Sequence, residues 1–335
     1  MTIKDLAAAT GYSVGTISRV LNNQPNVSEK ARQIILKAAA DADFQLNSNA
    51  KQLKQQHGTS ILVVSKGISN ELFDRLVQSI QKLVAQTNYP LVVDYIDESE
   101  NEVLRAAKLC REMKPLGILF LGGNRENFLA DFHQIHQPCV LVTNDAGDLP
   151  FPNLSSVSSD NVLAARMAID HLVELGHRRI VVIGGDRQVS DTTRLRYRGC
   201  LEAFRAHGIP FDEEQDYETI RFSYTDGYMA AENLLARGRE FTALFAMSDV
   251  MAIGAIRALT DAGKRVPEDV SVVGLDGLDI GRFLVPRLTT VEQAVEELAQ
   301  RSLHLLYGAI EEHQSATHET IPVTFLAGES ACRQF

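Results

Sequence analysis

From residue 60 onward, runs of apolar residues alternate with segments of helical periodicity. Seven such runs stand out: SILVVS, PLVVDYI, LGILFLG, PCVLVTN, RIVVIGG, FTALFAM and VSVVGLD. Helical patterns separate them, as at residues 98–113, 161–175 and 250–262. Continuous apolar runs followed by helices are typical of parallel strands covered on both faces. Over this length the pattern predicts an α/β body of two lobes, each built on a doubly wound parallel sheet.

The first 57 residues follow a different pattern, that of three short helices. A capping box at Thr2 opens a helix over about residues 3–9, and Gly11 ends it. Ser13 and Ser28 can each cap a further helix. Three short helices with a glycine in the first turn predict an all-α helix-turn-helix head.

The second predicted helix has a polar side that is suited to reading DNA. Arginine bonds bidentately to guanine in the major groove, and serine or threonine can hold phosphates. The alternative is an amphipathic helix with an ordinary solvated face. Ala7, Gly11 and Ile17 favour DNA reading, because the motif needs a small residue, a left-handed turn and a buried aliphatic there. The predicted contacts in this segment are Val14, Gly15, Thr16, Ser18, Arg19 and Asn22.

Residues 43–57 are polar apart from Phe44, Leu46 and Leu53. A helix here would be shorter than ten residues, and a helix that short is marginal alone in water. Lys51 stands close to Leu53, so a DNA minor groove is a suitable partner and Leu53 a wedge between base steps. The alternative is a flexible linker.

The charge is divided unevenly between the two parts. The chain has a formal net charge of -10, yet residues 1–57 carry seven basic and four acidic side chains. The head can therefore approach phosphates while the body repels them, which suits a DNA-binding head on a body that binds something else.

The remaining composition is that of an ordinary globular protein, 45% hydrophobic and 23% charged. It contains no run of 18 apolar residues and no signal-peptide pattern, so we expect a cytoplasmic protein without a membrane-spanning helix. The four cysteines lack CxxC spacing and are expected to be reduced thiols.

Motifs along the whole chain resemble the lactose/galactose repressor (LacI/GalR) family of bacterial transcription regulators. The head reads TIKDLAAATGYSVGTISRVLNNQPNVSEKARQIILKAA, and the body carries SSDNVLAARMAIDHLVELGHRRIVVIGG, ALFAMSDVMAIGAIRAL and VPEDVSVVGLDGLDIGRFLVPRLTTVEQ. The resemblance implies a homodimer that binds a palindromic operator, and in most members represses. It also implies a periplasmic-binding-protein-like core, in which a small molecule between the lobes changes DNA affinity.

The same resemblance gives domain boundaries. It implies a head over residues 1–45, a hinge helix or linker over 46–58 and a core over 59–335. Within the core, crossovers near Val157, Arg287 and Pro322 would assign about 59–157 and 287–318 to an N-lobe. Residues 158–286 and 319–335 would then form a C-lobe. No apolar heptad tail follows the last strand, so we expect a dimer without a tail-mediated tetramer.

The sequence departs from the family pattern at the hinge. Leu46 stands where the family usually has a proline, and Lys51 where an arginine is common. Both changes predict weaker hinge contacts, since lysine lacks the forked guanidinium. Val14 and Gly15 occupy the two positions that most often set operator preference, which leaves direct base reading to Arg19.

Candidate effector contacts follow the apolar runs, because open α/β sheets bind ligands at the carboxyl ends of their strands. Carboxylates accept from hydroxyl or ring N–H groups, and arginine donates a rigid fork. By resemblance, four residues match the family's effector-contacting positions: Asp145, Arg196, Ser248 and Asp276. Phe73, Tyr224 and Phe283 are candidates to pack on a ring. For Asp249 a helix cap is the favoured interpretation.

Two alternatives are an α/β enzyme acting on sugars or nucleotides and an extracytoplasmic solute-binding protein. The enzyme is disfavoured because the phosphate-binding patterns GxGxxG and GxxxxGK[ST] are both missing. His133 and His136 have helical metal-ligand spacing without an acidic partner, so no metal and no cofactor are predicted. The effector remains open among sugars, sugar phosphates, nucleobases and nucleosides. A neutral one is favoured since no Lys/Arg cluster marks a phosphate site.

Overall fold

The computed structural model describes residues 9–13, 16–17, 20, 27–41, 58–67, 70–238 and 240–334. The chain divides into two compact units, Met1–His57 and Gly58–Phe335, and each is treated by itself.

The described part of the N-terminal unit is helical and packs around a small apolar core. Its helix α1 spans Glu29–Asp41. Ile17 and Val20 are buried together with Ile35 and Ala39 of α1. Gly11 has a φ of 74°, which is the left-handed turn that the helix-turn-helix pattern predicts.

Serines begin two of the predicted helices of this unit. The hydroxyl oxygen of Ser13 accepts a hydrogen bond from the amide of Thr16 at 3.2 Å. Ser28 Oγ accepts from the amide of Ala31 at 3.3 Å. Each hydroxyl satisfies a backbone donor that the first turn of a helix leaves unpaired.

The C-terminal unit alternates strands and helices. The strands are β1 Ile61–Lys66, β2 Leu91–Ile96, β3 Gly117–Leu121, β4 Cys139–Val142, β5 Leu154–Ser159, β6 Ile180–Gly184, β7 Tyr217–Thr219, β8 Ala243–Ala246, β9 Ser271–Asp276, β10 Thr289–Gln293, β11 His318–Ile321 and β12 Val323–Leu326. The helices are α2 Glu71–Val84, α3 Glu102–Met113, α4 Arg125–Asp131, α5 Asn161–Glu174, α6 Asp191–Ala206, α7 Glu213–Asp216, α8 Tyr224–Ala236, α9 Asp249–Asp261 and α10 Val295–Glu311. Phe132–Gln134 and Asp279–Phe283 form 3-10 turns.

These strands form two six-stranded sheets, each at the centre of one lobe. The N-lobe sheet has the order β11-β5-β4-β3-β1-β2, and all its pairs are parallel. The C-lobe sheet has the order β12-β10-β9-β8-β6-β7, and only β12 runs antiparallel to its neighbour. Two doubly wound lobes are what the alternation of apolar runs and helices predicts.

Helices cover both faces of each sheet, which explains the continuous apolar runs. Ile61 and Val63 of β1 pack on one side of the N-lobe sheet, against α2 and α10. Leu62 and Val64 point to the other side and pack against α3. All four are fully buried. The strand therefore has no polar face.

Side-chain caps fix where several helices begin at the carboxyl edge of the sheets. Asn70 Oδ1 accepts from the amide of Phe73 at 3.3 Å and starts α2. Ser190 Oγ accepts from the amide of Thr193 at 3.2 Å and starts α6. These caps set the position of the helices that carry Phe73 and Arg196.

The chain passes between the lobes three times, and the boundaries differ from those predicted. The first passage follows Ser159, so the predicted limit at Val157 lies inside β5. The second follows Gln293 and not Arg287, because β10 pairs with β9 and β12 in the C-lobe sheet. β10 reads TTVEQ and lacks the apolar run that would reveal a strand.

The third passage lies at Pro322, between β11 and β12, as predicted. The limit at residue 318 falls within β11, which belongs to the N-lobe sheet. All four cysteines are free thiols. Within the described part of the chain, every helix is too short or too polar to cross a bilayer.

Candidate functional site

A cleft of about 750 Å³ lies between the two lobes, at the carboxyl ends of strands from both sheets. The N-lobe contributes Lys66, Phe73, Gly122, Gly123, Thr143 and Asn144. The C-lobe contributes Arg196, Phe222, Ser248, Asp276, Leu278 and Gln293. The volume is in the range of small-molecule sites, and the position is the one where open α/β sheets bind ligands.

A buried polar cluster forms the C-lobe side of the cleft, centred on Asp276 at the end of β9. Ser248 Oγ donates to Asp276 Oδ2 at 2.7 Å, and Gln293 Nε2 donates to Oδ1 at 2.8 Å. Arg196 Nη2 lies 3.5 Å from Asp276 Oδ1. Arg196 also donates through Nε to Asn161 Oδ1 at 2.9 Å. Three predicted residues, Arg196, Ser248 and Asp276, are thus brought together.

The charges of this cluster are held away from water. Burial raises the pKa of Asp276, and the nearby Arg196 guanidinium opposes that rise. Burial likewise lowers the pKa of Arg196, against the attraction of Asp276. At 3.5 Å the pair is looser than a good charge-assisted hydrogen bond, which is 2.7–2.9 Å long in general. Asp276 can therefore still accept from a hydroxyl or ring N–H group of a ligand, and Arg196 can donate through its loosely paired Nη2 to a ligand oxygen.

Gln293 is a site residue that the sequence analysis did not identify. Its Oε1 is buried and has no hydrogen-bond partner among the described residues. A buried acceptor without a partner is costly, and a donor group on a ligand would satisfy it. Gln293 lies on β10, whose mixed pattern gives no strand signal.

Strained backbone marks both sides of the cleft. Asp276 has a φ of 123° and Thr143, directly after β4, has a φ of 77°. Positive φ is unfavourable for residues other than glycine, and for a β-branched residue such as threonine it is a real outlier. Each such residue costs on the order of 1–3 kcal/mol, and such strain clusters at functional sites. Both residues line the cleft.

Apolar side chains complete the wall between the polar groups. Phe73 of α2 packs its ring on Gly122, where an added Cβ would lie 2.9 Å from the ring. Phe222, which follows β7, lines the opposite side with Ile220 and Met229. An apolar wall beside a few convergent polar groups suits a small amphipathic ligand. Phe222 was missed because β7 has only three residues and gives no apolar run.

The charge around the cleft is mainly negative. Its described lining has six acidic residues, namely Glu71, Glu98, Asp186, Glu218, Asp226 and Asp276, and three basic ones. Each basic residue faces a carboxylate. Lys66 Nζ lies 2.5 Å from the buried Glu102, and Arg221 Nε lies 3.1 Å from Glu98. Each described cation of the lining thus faces a protein carboxylate, and the pair of Arg196 with Asp276 is the loosest of the three.

Asp145 lies outside the cleft, contrary to the prediction. It is exposed, and its Oδ1 accepts from the amide of Gly147 at 2.9 Å and from Ser156 Oγ at 3.1 Å. The preceding residue, Asn144, is buried and lines the cleft in its place. Thr143, with its positive φ, comes directly before both residues, and sequence pattern does not report this backbone conformation.

Two predicted aromatic residues also lie away from the cleft lining. Tyr224 begins α8, and its hydroxyl donates to Glu71 of the N-lobe at the rim. Phe283 is 81% exposed on the Asp279–Phe283 turn. The aromatic residues that do line the cleft are Phe73, as predicted, and Phe222.

Asp249 is fully buried at the start of α9 rather than solvated at a helix cap. Its carboxylate accepts from Thr290 Oγ1 at 2.6 Å and from the amide of Leu278 at 2.7 Å. Burial, assisted by the nearby charge of Asp276, raises its pKa to about 7. Asp249 itself does not line the cleft, although Ser248 and Val250 on either side do.

The predicted DNA contacts fall mostly outside the described residues. Thr16 is described, and its Oγ1 lies 2.9 Å from Ser13 Oγ in the first turn of its helix. The other predicted contacts lie outside the described residues: Val14, Gly15, Ser18, Arg19, Asn22, Lys51 and Leu53.

The histidines that suggested metal spacing have no metal-binding surroundings. His133 and His136 are both exposed. Over the described ranges, no group of three or more His, Cys, Asp or Glu side chains is placed to hold a metal ion.

Comparison with known proteins identifies both units. Residues 2–47 match the family of bacterial regulatory proteins of the lacI type, and residues 169–331 match the periplasmic binding protein-like domain. The chain is 33% identical over 317 residues to the HTH-type transcriptional regulator MalR of Clostridium butyricum, covering 92% of this chain and 93% of that protein.

Solved structures agree over nearly the whole length. The lac repressor dimer bound to operator and the anti-inducer ONPF aligns with a TM-score of 0.74 and 25% identity, covering 99% of each chain. The complex of the transcriptional regulator CelR with cellobiose aligns with a TM-score of 0.72 and 26% identity, covering 99% of this chain and 100% of that one. These relatives are regulators, which sets aside the enzyme and the solute-binding protein. The chain belongs to the LacI family of bacterial transcription regulators, with a helix-turn-helix head and a two-lobed effector-binding core.

Proposed function

We propose that the protein is a cytoplasmic repressor that binds a palindromic operator as a homodimer and responds to a neutral sugar or nucleoside in the cleft. One observation carries the effector assignment: the buried cluster of Arg196, Ser248, Asp276 and Gln293 opens into a cavity of about 750 Å³. A fork of donors, a carboxylate and an orphaned amide oxygen together suit a ligand with several neighbouring hydroxyl or ring N–H groups.

The charge of the cleft favours a neutral effector over a phosphorylated one. A phosphate needs free cationic donors, and Lys66, Arg196 and Arg221 each face a carboxylate. The surplus of acidic lining residues would further repel an anion in this partly enclosed site. The ring faces of Phe73 and Phe222 supply the apolar surface on which a sugar or base packs.

The operator would be read by the second helix of each head in successive major grooves, with Arg19 bonding to guanine. Leu53 of each hinge would insert between base steps in the minor groove. Effector binding would shift the N-lobes and so the spacing of the hinges. The operator-bound relative supports this arrangement, since it is a dimer with the same fold.

An exposed apolar segment of the C-lobe supports self-association. On the segment that follows β9, Phe283 is 81% and Val285 95% exposed, and Ile280 is also exposed. Large apolar side chains grouped on the surface mark protein contacts more often than chance. A homodimer would remove them from water.

A thermal-shift screen of the full chain tests the effector class. The panel holds cellobiose, maltose, galactose, ribose, adenosine and hypoxanthine, with glucose 6-phosphate and ribose 5-phosphate as charged counterparts. A ligand at 100 times its Kd adds about 2.7 kcal/mol of stability, which is readily seen. We expect a neutral member to stabilise the wild type and not S248A.

The matched control is D269N, which changes a half-buried carboxylate of the same lobe that is paired with Arg265. It should respond as the wild type does. Stabilisation by the phosphates alone would contradict the neutral class, and no response from any member would contradict the assignment to sugars and nucleosides.

A further inference from the structure

The turn that carries Asp276 has an unusual backbone. Asp276 and Gly277 are consecutive residues with positive φ, 123° and 72°. A Cβ on Gly277 would lie 2.6 Å from Cβ of Glu292, so this position requires glycine. A strained residue such as Asp276 keeps its conformation only where its surroundings determine it. The contacts of the turn Asp276–Gly277–Leu278 therefore decide where the Asp276 carboxylate lies.

Asp249 holds this turn from within the C-lobe. Its carboxylate accepts from the amide of Leu278 at 2.7 Å. Thr290 Oγ1 fixes the other oxygen at 2.6 Å. β9 has a glycine, Gly274, beside the carboxylate, where any Cβ would overlap Asp249 Oδ1. The missing side chain at Gly274 thus leaves room for the buried carboxylate of Asp249 behind the cleft.

Arg75 holds the same turn from the other lobe. It lies half-buried on α2, and its Nη1 donates to the carbonyl oxygen of Gly277 at 2.8 Å. Among the described residues, two further polar contacts join the lobes at the rim, between Tyr224 and Glu71 and between Arg221 and Glu98, and Leu278 packs into the N-lobe core. The Arg75 contact differs from these because it reaches the residue next to Asp276.

We propose that Asp249 and Arg75 are positioning residues for Asp276. The peptide group between Gly277 and Leu278, which both residues contact, links the closure of the lobes to the placement of the Asp276 carboxylate. Opening of the cleft would remove the Arg75 hydrogen bond and loosen the strained turn. Closure would restore it, so a ligand that needs Asp276 in place favours the closed arrangement. The inference rests on the proposed function in taking Asp276 as an effector contact.

Hydrogen exchange of the unliganded full chain, read by mass spectrometry, tests the two anchors without any effector. We expect D249N to speed exchange at the amides of Gly277 and Leu278 at least tenfold, and T290V to do so less. T290V also serves if D249N folds poorly. We expect R75M to speed exchange at the same amides several-fold, because the strained turn loses its hold from the N-lobe.

The controls are D269N and R111M, which change a half-buried carboxylate and an exposed guanidinium outside the turn. Both should leave exchange at the turn unchanged. If the amides of Gly277 and Leu278 exchange in D249N and T290V at the same rate as in the wild type, the role of Asp249 is overturned. The same result in R75M would overturn the role of Arg75.

Calorimetric titration tests the link to binding, with the neutral panel member that stabilises the wild type. R75M should weaken its binding about tenfold, R75K should recover part of the loss, and R111M should bind normally. Equal binding by R75M and the wild type would overturn the link. If no member binds the wild type, the proposed effector class fails, and the exchange experiment alone decides whether the anchors exist.

Discussion

At the scale of single residues, the cleft is built from a few side chains whose neighbours are as important as their own chemistry. Asp276 is held by Ser248 and Gln293 and faces Arg196 across 3.5 Å. Asp145, also an acid directly after a strand-end turn, is exposed and bonds only within its own loop and to Ser156. Two similar positions in sequence thus have different surroundings.

A pair of matched substitutions tests this difference. D276N should weaken effector binding about 10- to 100-fold, because hydrogen bonds to a charged group contribute roughly 1.5–3 kcal/mol. D145N should leave binding unchanged. Calorimetric titration with the neutral panel member that stabilises the wild type would provide the measurement. A loss in D145N comparable to that in D276N would restore Asp145 as a contact and contradict the observed geometry.

A buried histidine in the C-lobe predicts how stability depends on pH. His177 is buried, with Nδ1 3.0 Å from Thr242 Oγ1 and Nε2 3.0 Å from Ser271 Oγ. Burial lowers its pKa below the ordinary 6.5, so the unfolded chain takes up the proton first. The contribution of His177 is therefore complete above pH 6.5 and is lost as the pH falls through the lower, folded value.

Urea unfolding of wild type and H177Q at pH 5, 6, 7 and 8 checks this dependence. The stability difference between them should favour the wild type most at pH 7–8 and shrink towards pH 5. H136Q, at an exposed histidine, is the control and should follow the wild type. A difference that is constant with pH would contradict the titration of His177.

At the scale of elements, the sequence predicts strands well where they are buried on both faces and poorly where they are not. β1 and β9 read as apolar runs because helices cover both sides. β10 reads TTVEQ, because the side chains buried along it include hydroxyl and amide groups. Without an apolar run the strand was not recognised, and the second crossover was therefore predicted too early, at Arg287. The same property hid Gln293.

Loops limit the prediction of the site in a second way. The strand-end rule brings Ser248 and Asp276 to one place, because it depends only on the parallel sheet, whereas Arg196, on α6, was assigned by resemblance. The choice between Asn144 and Asp145 depends on the φ of Thr143, and the choice of Phe222 over Tyr224 depends on a turn after a three-residue strand. Neither backbone detail has a sequence pattern.

The second helix of the head gives the element-scale prediction. R19A should abolish specific operator binding and leave the fold intact, because Arg19 supplies the direct base reading. The measurement is a titration of operator DNA against a scrambled duplex at fixed salt. K37A, on the exposed side of α1, is the control and should keep its preference for the operator. Unchanged specificity in R19A would remove the assigned role.

At the scale of the whole molecule, charge and surface separate the two tasks. The body carries the acidic excess, which keeps it from DNA, while the head is basic. The exposed Phe283 and Val285 leave an apolar surface on the C-lobe. The palindromic operator that we propose would require two heads, so operator binding would depend on association of the bodies.

Charge substitutions on that surface test the dimer. F283D combined with V285D should shift the chain from dimer to monomer in sedimentation equilibrium, because two buried aspartates would have to lose their hydration. Operator affinity should fall with it while the thermal stability of each body changes little. L129D, at another exposed apolar residue, is the control. A dimer that persists would place the interface elsewhere.

The three passages between the lobes have a consequence for synthesis of the protein. The N-lobe takes α10 and β11 from the last third of the core, and the C-lobe takes β12 from a point later still. Neither sheet is complete until these segments have left the ribosome. Truncation before residue 318 would leave both sheets without an edge strand. The nascent core would therefore finish both lobes nearly at once, when these segments emerge, rather than one after the other.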